Sequence, residues 1–244
     1  MVTVPGLHCQ RMRDPRERLI VALDVSSAAA AQKIVAAVGD SAFTYKVGKQ
    51  LFTAEGPQIV RDLVASGRQV FLDLKYHDIP STVASAVREA AKLHVSMLTV
   101  HASGGGRMLR AAVDAARNMN PTLMVLAVTV LTSLDDSDLE KMGVRGKVVD
   151  QVLRLSALAI ADGCHGVVAS AQEATELRNE LDGEFLIVTP GVRPAGMGRG
   201  DQVRVVTPAE AIAAGATHIV VGRPITQAAD PAAEARAILG QISF

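Results

Sequence analysis

An acidic and a basic side chain lie two positions apart in the middle of the sequence. Asp73 and Lys75 are separated by one residue in the apolar run that begins at Phe71. If this run is a β-strand, residues two apart point to the same face, so a carboxylate would lie beside an ammonium group. Such a pair can hold a lysine in its charged form and deliver a proton to a bound molecule. The same spacing also fits a structural salt bridge.

Other polar residues end further apolar runs. Asp24 and Lys46 end two runs that precede Asp73. Because the catalytic groups of a barrel of parallel strands lie at the carboxyl ends of the strands, we expect Asp24, Lys46, Asp73 and Lys75 to form one alternating array of acids and bases. A network of structural salt bridges would use the same four residues. Later apolar runs are ended or followed by His101, Thr132 and Arg223.

Short apolar runs alternate with longer segments of helical periodicity along the chain. The predicted strands are Leu19–Leu23, Phe43–Val47, Gln69–Leu74, Met97–His101, Leu123–Val130, Gly166–Ala169, Phe185–Thr189 and His218–Val221. The predicted helices are Ser27–Val38, Pro57–Ser66, Thr82–Leu93, Arg107–Asn118, Lys147–Ala161, Gln172–Leu181, Pro208–Ala214 and Pro224–Leu239. Between helices and the following strands, Gly67, Gly163, Gly183 and Gly215 are predicted to be left-handed helix caps.

This alternation predicts the α/β class, as a single-domain (β/α)8 TIM barrel. Strands so apolar indicate a parallel sheet covered by helices, and eight such units suit a closed barrel. An open doubly wound sheet is the main alternative, but the glycine-rich turn expected after its first strand is missing. We expect a flexible leader at residues 1–14 and the catalytic barrel at residues 15–244.

The composition excludes several classes of function. Lys and Arg together number 25, as do Asp and Glu, so no basic excess indicates a nucleic-acid partner. Aromatic residues make up 3% of the chain, which argues against stacking platforms for nucleic acid. No apolar run is long enough to cross a membrane, Met1–Arg18 lacks the apolar region of a signal peptide, and Cys9 and Cys164 have no metal-ligand spacing. A cytoplasmic enzyme is expected.

The segment around Asp73 resembles a known family signature. Residues 71–83, FLDLKYHDIPSTV, are similar to the motif D-x-K-x-x-D-I-P-x-T of orotidine 5′-phosphate decarboxylases. Further segments resemble the family in the same order between residues 19 and 226: LDV at 23–25, YKVG at 45–48, VHASGG at 100–105, LTS at 131–133, TPGVRP at 189–194, GDQ at 200–202 and VGRPI at 221–225. D-x-K-x-x-D alone also occurs in sugar-phosphate relatives, but its combination with I-P-x-T and P-G-V-R is specific.

The resemblance implies an activity and a role for each member of the array. The reaction would be decarboxylation of orotidine 5′-phosphate to uridine 5′-phosphate (UMP) and CO2, the last step of de novo UMP synthesis, without a metal or another cofactor. Asp73 would lie beside the substrate carboxylate and Lys75 would protonate C6. Lys46 would bond to Asp73 and the ribose, and Asp24 to the ribose hydroxyls. His101 has no assigned role.

The resemblance also implies a homodimer with shared active sites. Asp78 and Thr82 would enter the site of the other subunit, with Asp78 counted among the catalytic residues. Taken alone, Asp78 could instead be a residue at a helix start, since Pro80 favours the first helical turn. Further substrate contacts are expected from Thr132, Ser133, Pro190, Arg193, Gln202, Gly222 and Arg223.

Two segments near the end of the chain suit the phosphate group. Gly191–Gln202 is rich in glycine, contains two arginines and follows the seventh predicted strand, so we expect a mobile lid, although an ordinary flexible loop has the same composition. Gly222 and Arg223 follow the eighth strand, where barrels commonly bind phosphate, and an arginine can bind phosphate with two parallel hydrogen bonds.

A metal-dependent sugar-phosphate enzyme and a non-catalytic nucleotide-binding barrel are the two alternatives to a decarboxylase. A sugar-phosphate relative would bind Mg²⁺ through Asp73 and another carboxylate, but its second strand normally carries an acid where this chain has Lys46, whose charge would repel a metal. A non-catalytic nucleotide-binding barrel would not need a proton donor among carboxylates. Loss of CO2 from C6 leaves an electron pair in the plane of the pyrimidine ring, so a fixed ammonium group suits the decarboxylase.

Overall fold

The computed structural model of the chain describes residues 14–194 and 206–242 and contains a closed parallel barrel. Strands pair in sequence order from β1 to β8, and β8 pairs with β1. The predicted (β/α)8 barrel is therefore confirmed. The strands are β1 (Leu19–Ala22), β2 (Thr44–Gly48), β3 (Gln69–Tyr76), β4 (Met97–His101), β5 (Met124–Val128), β6 (Gly166–Val168), β7 (Leu186–Thr189) and β8 (His218–Val221).

The strands bury both of their faces, as their uniform apolarity predicts. Inward-facing side chains fill the barrel as a separate cluster: Ile20, Ala22, Phe71, Met97, Leu126, Leu186, Val188 and Val220. The outward-facing side chains pack against the helices in a larger cluster that includes Val21, Tyr45, Leu98 and Ile219. The barrel interior is thus a packed apolar core.

The helices cover the barrel and differ from the prediction in three places. They are α1 (Ala28–Val38), α2 (Lys49–Glu55), α3 (Gln58–Ala65), α4 (Pro80–Ala91), α5 (Gly106–Met119), α6 (Asp136–Lys141), α7 (Val148–Ala161), α8 (Ala171–Glu180), α9 (Pro208–Ala213), α10 (Arg223–Thr226) and α11 (Pro231–Ile242). Helices α2 and α6 were not predicted. The single helix predicted for Pro224–Leu239 was wrong, because the chain breaks before Pro231 and the Asp230 carboxylate accepts a hydrogen bond from the Ala233 N–H (2.9 Å).

The predicted turn glycines adopt the backbone that their positions require. Gly67, Gly163, Gly183 and Gly215 have φ between 80° and 106°. Among the described residues, no helix has the length and apolar character needed to cross a bilayer. Residues 1–13 of the predicted leader, and Gln202 with the rest of 195–205, lie outside the described residues; Asp14 accepts a hydrogen bond from the Arg16 N–H at the start of a short 3-10 helix.

A buried polar cluster lies at the amino-terminal end of the barrel, opposite the strand ends that carry the charged array. The Arg18 guanidinium donates to the carbonyls of Thr217 and Ala216 and thereby ties the start of β1 to the start of β8. The adjacent His218 is 6% exposed, with its Nδ1 at 3.0 Å from the Thr217 hydroxyl. Burial and the charge of Arg18 lower the pKa of His218 to about 4.

We predict that His218 weakens the fold in acid. The unfolded state gains a proton as the pH falls through the ordinary value of 6.5, whereas folded His218 stays neutral down to about 4. Stability is therefore lost progressively as the pH falls across this window, by about 3 kcal/mol for the full shift. Urea unfolding at a series of pH values should show a shallower loss in His218→Asn than in the native protein. The exposed His94→Asn is the control, and an unchanged slope in His218→Asn would contradict the assignment.

Candidate active site

A cavity of about 510 Å³ opens at the carboxyl ends of the strands. This is the end of the barrel at which the charged array was predicted, and the volume suits a small organic ligand. One side of its lining is charged, with Asp24, Lys46, Asp73 and Lys75. An apolar part includes Ala22, Phe71, Val128, Val130, Val168, Val192 and Val220, and Arg193 and Arg223 add two more charged groups. Ligand groups entering the cavity would therefore contact a charged wall and an apolar wall.

The four predicted charged residues meet in one connected array. The Lys75 Nζ lies 2.7 Å from Asp73 Oδ1 and 2.8 Å from Oδ2. The Lys46 Nζ donates to Asp24 Oδ1 at 2.9 Å and lies 3.8 Å from Asp73 Oδ2. The order along the array is Asp24, Lys46, Asp73, Lys75, so acids and bases alternate as predicted. Each lysine has a carboxylate within ion-pair distance, and Lys46 has two.

Asp73 is the most enclosed carboxylate of the array. Its side chain is 13% exposed, against 62% for Asp24. Burial alone would raise the pKa of Asp73, but the charges of Lys75 and Lys46, with hydrogen bonds from Lys75 and Thr99, hold that pKa below its ordinary value. Asp73 is therefore ionised at neutral pH and fixes both ammonium groups from within the barrel mouth.

The backbone that carries Asp73 and Lys75 is irregular. Leu72 pairs with Leu98 and Tyr76 with Val100, so the three residues from Asp73 to Lys75 lie opposite the single residue Thr99. Lys75 has a φ of 54°, in the left-handed region that non-glycine residues rarely adopt. Strain of this kind concentrates at functional sites. The two side chains meet at a β-bulge rather than on a regular pleat.

Thr99 is a site residue that the sequence analysis missed. It is fully buried on β4, donates its hydroxyl proton to Asp73 Oδ1 (3.0 Å) and accepts from the Lys75 N–H (2.9 Å). The available signal was a polar residue within an apolar strand, two positions before His101 and hence on the same face. That signal does not reveal its partners, which depend on the bulge in β3.

Gly48 leaves room for the lysine of β2. It is the register partner of Asp73 and lies two positions after Lys46. A Cβ atom at Gly48 would lie 3.0 Å from the Lys46 Nζ and 3.4 Å from Asp24 Oδ1. A side chain at this position would crowd the ammonium group, so a glycine here helps Lys46 to lie between two carboxylates.

Several predicted substrate-binding residues surround the same cavity. Thr132, Pro190, Arg193, Gly222 and Arg223 all line it. The N–H of Arg193 donates to the Val206 carbonyl at 2.9 Å, and Val192 and Val206 form a parallel bridge, which joins the two ends of the Gly-rich segment beside the cavity. Arg223 is the first residue of α10, directly after Gly222. The cavity thus has arginines from the turns after β7 and β8.

Other predicted residues lie away from this cavity. Asp78, Thr82 and Ser133 are exposed and do not line it. The Asp78 carboxylate accepts from the N–H of Ile79 (2.6 Å), while the N-cap of α4 is Ile79, which has no side-chain cap bond. The alternative of Asp78 as an N-cap of its own helix therefore has no support in this geometry.

His101 lies next to His77 at the end of β4, with ring centroids 5.4 Å apart. Burial, and then the nearby charges of His77, Lys75 and Lys49, lower the pKa of His101 against the opposing effect of Asp73. His101 does not line the cavity.

The chemistry of the array does not favour a metal. Both oxygens of Asp73 already face the Lys75 ammonium, and Lys46 approaches Oδ2 from the other side. Within residues 14–194 and 206–242, no cluster of three or more His, Cys, Asp or Glu side chains could hold a metal ion. A divalent cation at Asp73 would have to displace two ammonium groups.

Comparisons with known proteins point to one family. The family described as Orotidine 5′-phosphate decarboxylase / HUMPS family matches residues 17–238. An orotidine 5′-phosphate decarboxylase from Halorhodospira halophila is 53% identical over 226 residues, covering 93% of this chain and 96% of the relative. One from Moorella thermoacetica is 50% identical over 235 residues, covering 94% and 93%. The crystal structure of that enzyme from Lactobacillus acidophilus has a TM-score of 0.84 at 39% identity, covering 93% of this chain and 99% of the other.

We predict that the two carboxylates of the array differ in their effect on stability. Asp73→Asn removes the charge between two partly buried ammonium groups and should lower the free energy of unfolding by about 2–3 kcal/mol. Asp24→Asn removes an exposed partner, and its cost should stay below about 1 kcal/mol. Urea unfolding at pH 7 measures both. Equal costs would show that burial of Asp73 has no energetic role.

Proposed function

The chain belongs to the orotidine 5′-phosphate decarboxylase / HUMPS family, and on that premise we propose that it converts orotidine 5′-phosphate to UMP and CO2 with Lys75 as the proton donor. The observation that carries this proposal is the Lys75 ammonium held by both oxygens of Asp73 at the mouth of the barrel. The relatives described above are named for this activity, and this chain aligns with almost their whole length.

At C6 the proposed reaction breaks one bond and forms one. The bond between C6 and the carboxylate carbon breaks, CO2 leaves, and the electron pair stays on C6 in the plane of the ring. A proton from the Lys75 Nζ then forms the C6–H bond, and solvent returns a proton to Lys75. Because that electron pair cannot delocalise into the ring, an ammonium group fixed beside C6 before the reaction begins is an effective form of stabilisation.

Asp73 has two parts in this proposal. It orients the Lys75 ammonium through two short contacts, and its negative charge would lie near the substrate carboxylate until CO2 leaves. We assign the larger effect to orientation, because a fixed cation needs no rearrangement during the reaction. Lys46 and Asp24, at the other end of the array, have the hydrogen-bonding capacity to bind the ribose hydroxyls.

The arginines suit the phosphate of the substrate. Arg193 and Arg223 line the cavity on the turns after β7 and β8, at the usual phosphate position of the barrel fold. We propose that they bind the phosphate, with Gly222, Pro190, Thr132, Ser133 and Gln202 contributing further contacts. Binding energy from this remote group can be used to complete the site around C6, as in enzymes whose loops close on substrate.

The charges of the array distinguish this reaction from that of a metal-dependent sugar-phosphate enzyme. Such an enzyme would use Asp73 as a metal ligand, but Asp73 is engaged by two lysines. We therefore propose a reaction without a metal or organic cofactor. A cytoplasmic location is also proposed, because a phosphorylated substrate and product do not cross membranes unaided.

We further propose a homodimer in which Asp78 and Thr82 complete the partner's active site. The loop and helix start that carry these residues are exposed, and Ile79 between them has 64% of its surface accessible. A single exposed isoleucine is common on protein surfaces, so the proposal depends on the family resemblance and on the position of Asp78. Asp78 does not line the cavity of its own barrel.

One prediction of the proposed function concerns Lys75 and the proposed independence from a metal. The native protein should decrease the absorbance of orotidine 5′-phosphate equally with and without EDTA. Lys75→Ala should abolish turnover yet still bind UMP in calorimetry, because Lys75 acts mainly in the transition state. Activity that returns only with a divalent metal would favour the sugar-phosphate relatives, and near-native kcat in Lys75→Ala would remove Lys75 as the proton donor.

Another prediction concerns the proposed sharing of the active site between subunits. Mixing inactive Lys75→Ala with inactive Asp78→Ala subunits should create one intact and one doubly damaged site in each mixed dimer. With random exchange roughly half of the dimers are mixed, so recovery should approach roughly a quarter of native activity. Mass spectrometry verifies the exchange of subunits. Exchange without recovery would mean that Asp78 acts within its own chain.

A further inference from the structure

Thr99 is bound by hydrogen bonds whose directions are fixed by chemistry. A backbone N–H can only donate and an ionised carboxylate can only accept. The Thr99 hydroxyl must therefore accept from the Lys75 N–H at 2.9 Å and donate its own proton to Asp73 Oδ1 at 3.0 Å. Because Thr99 is fully buried, water does not compete for either bond. One side chain on β4 thus connects the carboxylate of Asp73 with the backbone of Lys75.

The bond to the Lys75 N–H replaces a bond that the sheet cannot make. Since the three residues from Asp73 to Lys75 face one residue of β4, the regular ladder is interrupted at this point. A φ of 54° at Lys75 turns its N–H toward Thr99, and left-handed backbone is unfavourable for a residue with a side chain. The hydroxyl gives this N–H a partner and so stabilises the bulge that directs the Lys75 side chain.

We propose that Thr99 is a positioning residue, whose hydroxyl holds the Asp73 carboxylate and the bulged backbone of Lys75 in the arrangement that presents the Lys75 ammonium to the substrate. This inference rests on the proposed function. Thr99 acts through Asp73 and Lys75 and need not touch the substrate, since it does not line the cavity. Its effect should therefore appear in the chemical step more than in binding.

Three variants separate this role from packing. Thr99→Val keeps the shape and removes both hydrogen bonds, whereas Thr99→Ser keeps the hydroxyl and removes a methyl group. Thr129→Val is the matched control, because Thr129 is also buried, directly after β5, and its hydroxyl donates to the Val168 carbonyl at 3.1 Å. If Thr99→Val does not fold, Thr99→Cys, which offers only a weak donor, takes its place.

In steady-state kinetics we expect kcat to fall roughly 10- to 100-fold in Thr99→Val with KM changed much less, since small misplacements of a catalytic group have effects of this size. Thr99→Ser should recover most of the rate, and Thr129→Val should match the native protein. A purely structural role would lower the melting temperature in Thr99→Val and Thr129→Val alike without separating their kcat values.

The titration of Asp73 gives a second readout, which does not depend on activity. Asp73 is faced by Lys75 on its own strand, by Lys46 on β2 and by Thr99 and His101 on β4, while Asp24 reaches it only through Lys46. Removing the Thr99 donor takes away one of the hydrogen bonds that favour the ionised carboxylate, so the pKa of Asp73 should rise. Carbon-13 NMR of labelled aspartate, assigned with Asp73→Asn, should show the shift in Thr99→Val, and the acid limb of kcat should move to higher pH.

The outcomes separate the two proposals. If the native protein fails to decarboxylate orotidine 5′-phosphate, the proposed function fails, while the NMR titration still reports whether Thr99 holds Asp73. If the native protein is active but Thr99→Val retains its kcat and its Asp73 titration, the positioning role is overturned. A loss of rate that Thr99→Ser does not recover would also overturn it, because the methyl group and not the hydroxyl would then be responsible.

Discussion

The buried carboxylate of Asp73 is kept ionised by the ammonium groups of Lys75 and Lys46, and its charge in turn offsets the repulsion between them. With 13% of its side chain exposed, Asp73 has lost most of its hydration, and burial alone would favour the protonated form. The ammonium groups of Lys75 and Lys46 reverse that preference. Conversely, two ammonium groups brought so near would repel each other without the charge between them. The position of each charged group in the array therefore depends on the others.

The barrel fold strengthens the attraction between Asp73 and its two lysines. The layer beneath the array is filled by apolar side chains such as Phe71 and Val220, which exclude water and keep the local dielectric low. The parallel strands end together, so charges from β1, β2 and β3 meet although they are distant in sequence. The bulge in β3 then brings Lys75 onto Asp73. An apolar core and an irregular strand end are both needed for the site.

The sequence was sufficient for the fold and for the membership of the array, but not for its detailed geometry. Strand ends such as His101 and Val221 were predicted because apolar runs stop where the chain leaves the barrel. Thr99 was missed because its partners are set by the bulge, and a register shift leaves no periodic signal in β3 itself. The break before Pro231 was missed although the sequence contains its signal, because a proline inside a helix removes a backbone donor and Asp230 before it suits a helix N-cap.

Arg18 and β1 have a consequence for the synthesis of the chain. The first strand pairs on one side with the last, and Arg18 reaches carbonyls 198 and 199 residues further along the chain. While the ribosome is still producing the segment before β8, the edge of β1 that later pairs with β8 therefore has unpaired backbone groups, and the two carbonyls to which Arg18 donates have not yet been made. Contacts of such long range form late and leave nascent chains exposed to aggregation. Closure of the barrel between β1 and β8 therefore requires that β8 has been made and has left the ribosome, and we expect a chain stalled before residue 218 to be prone to aggregation.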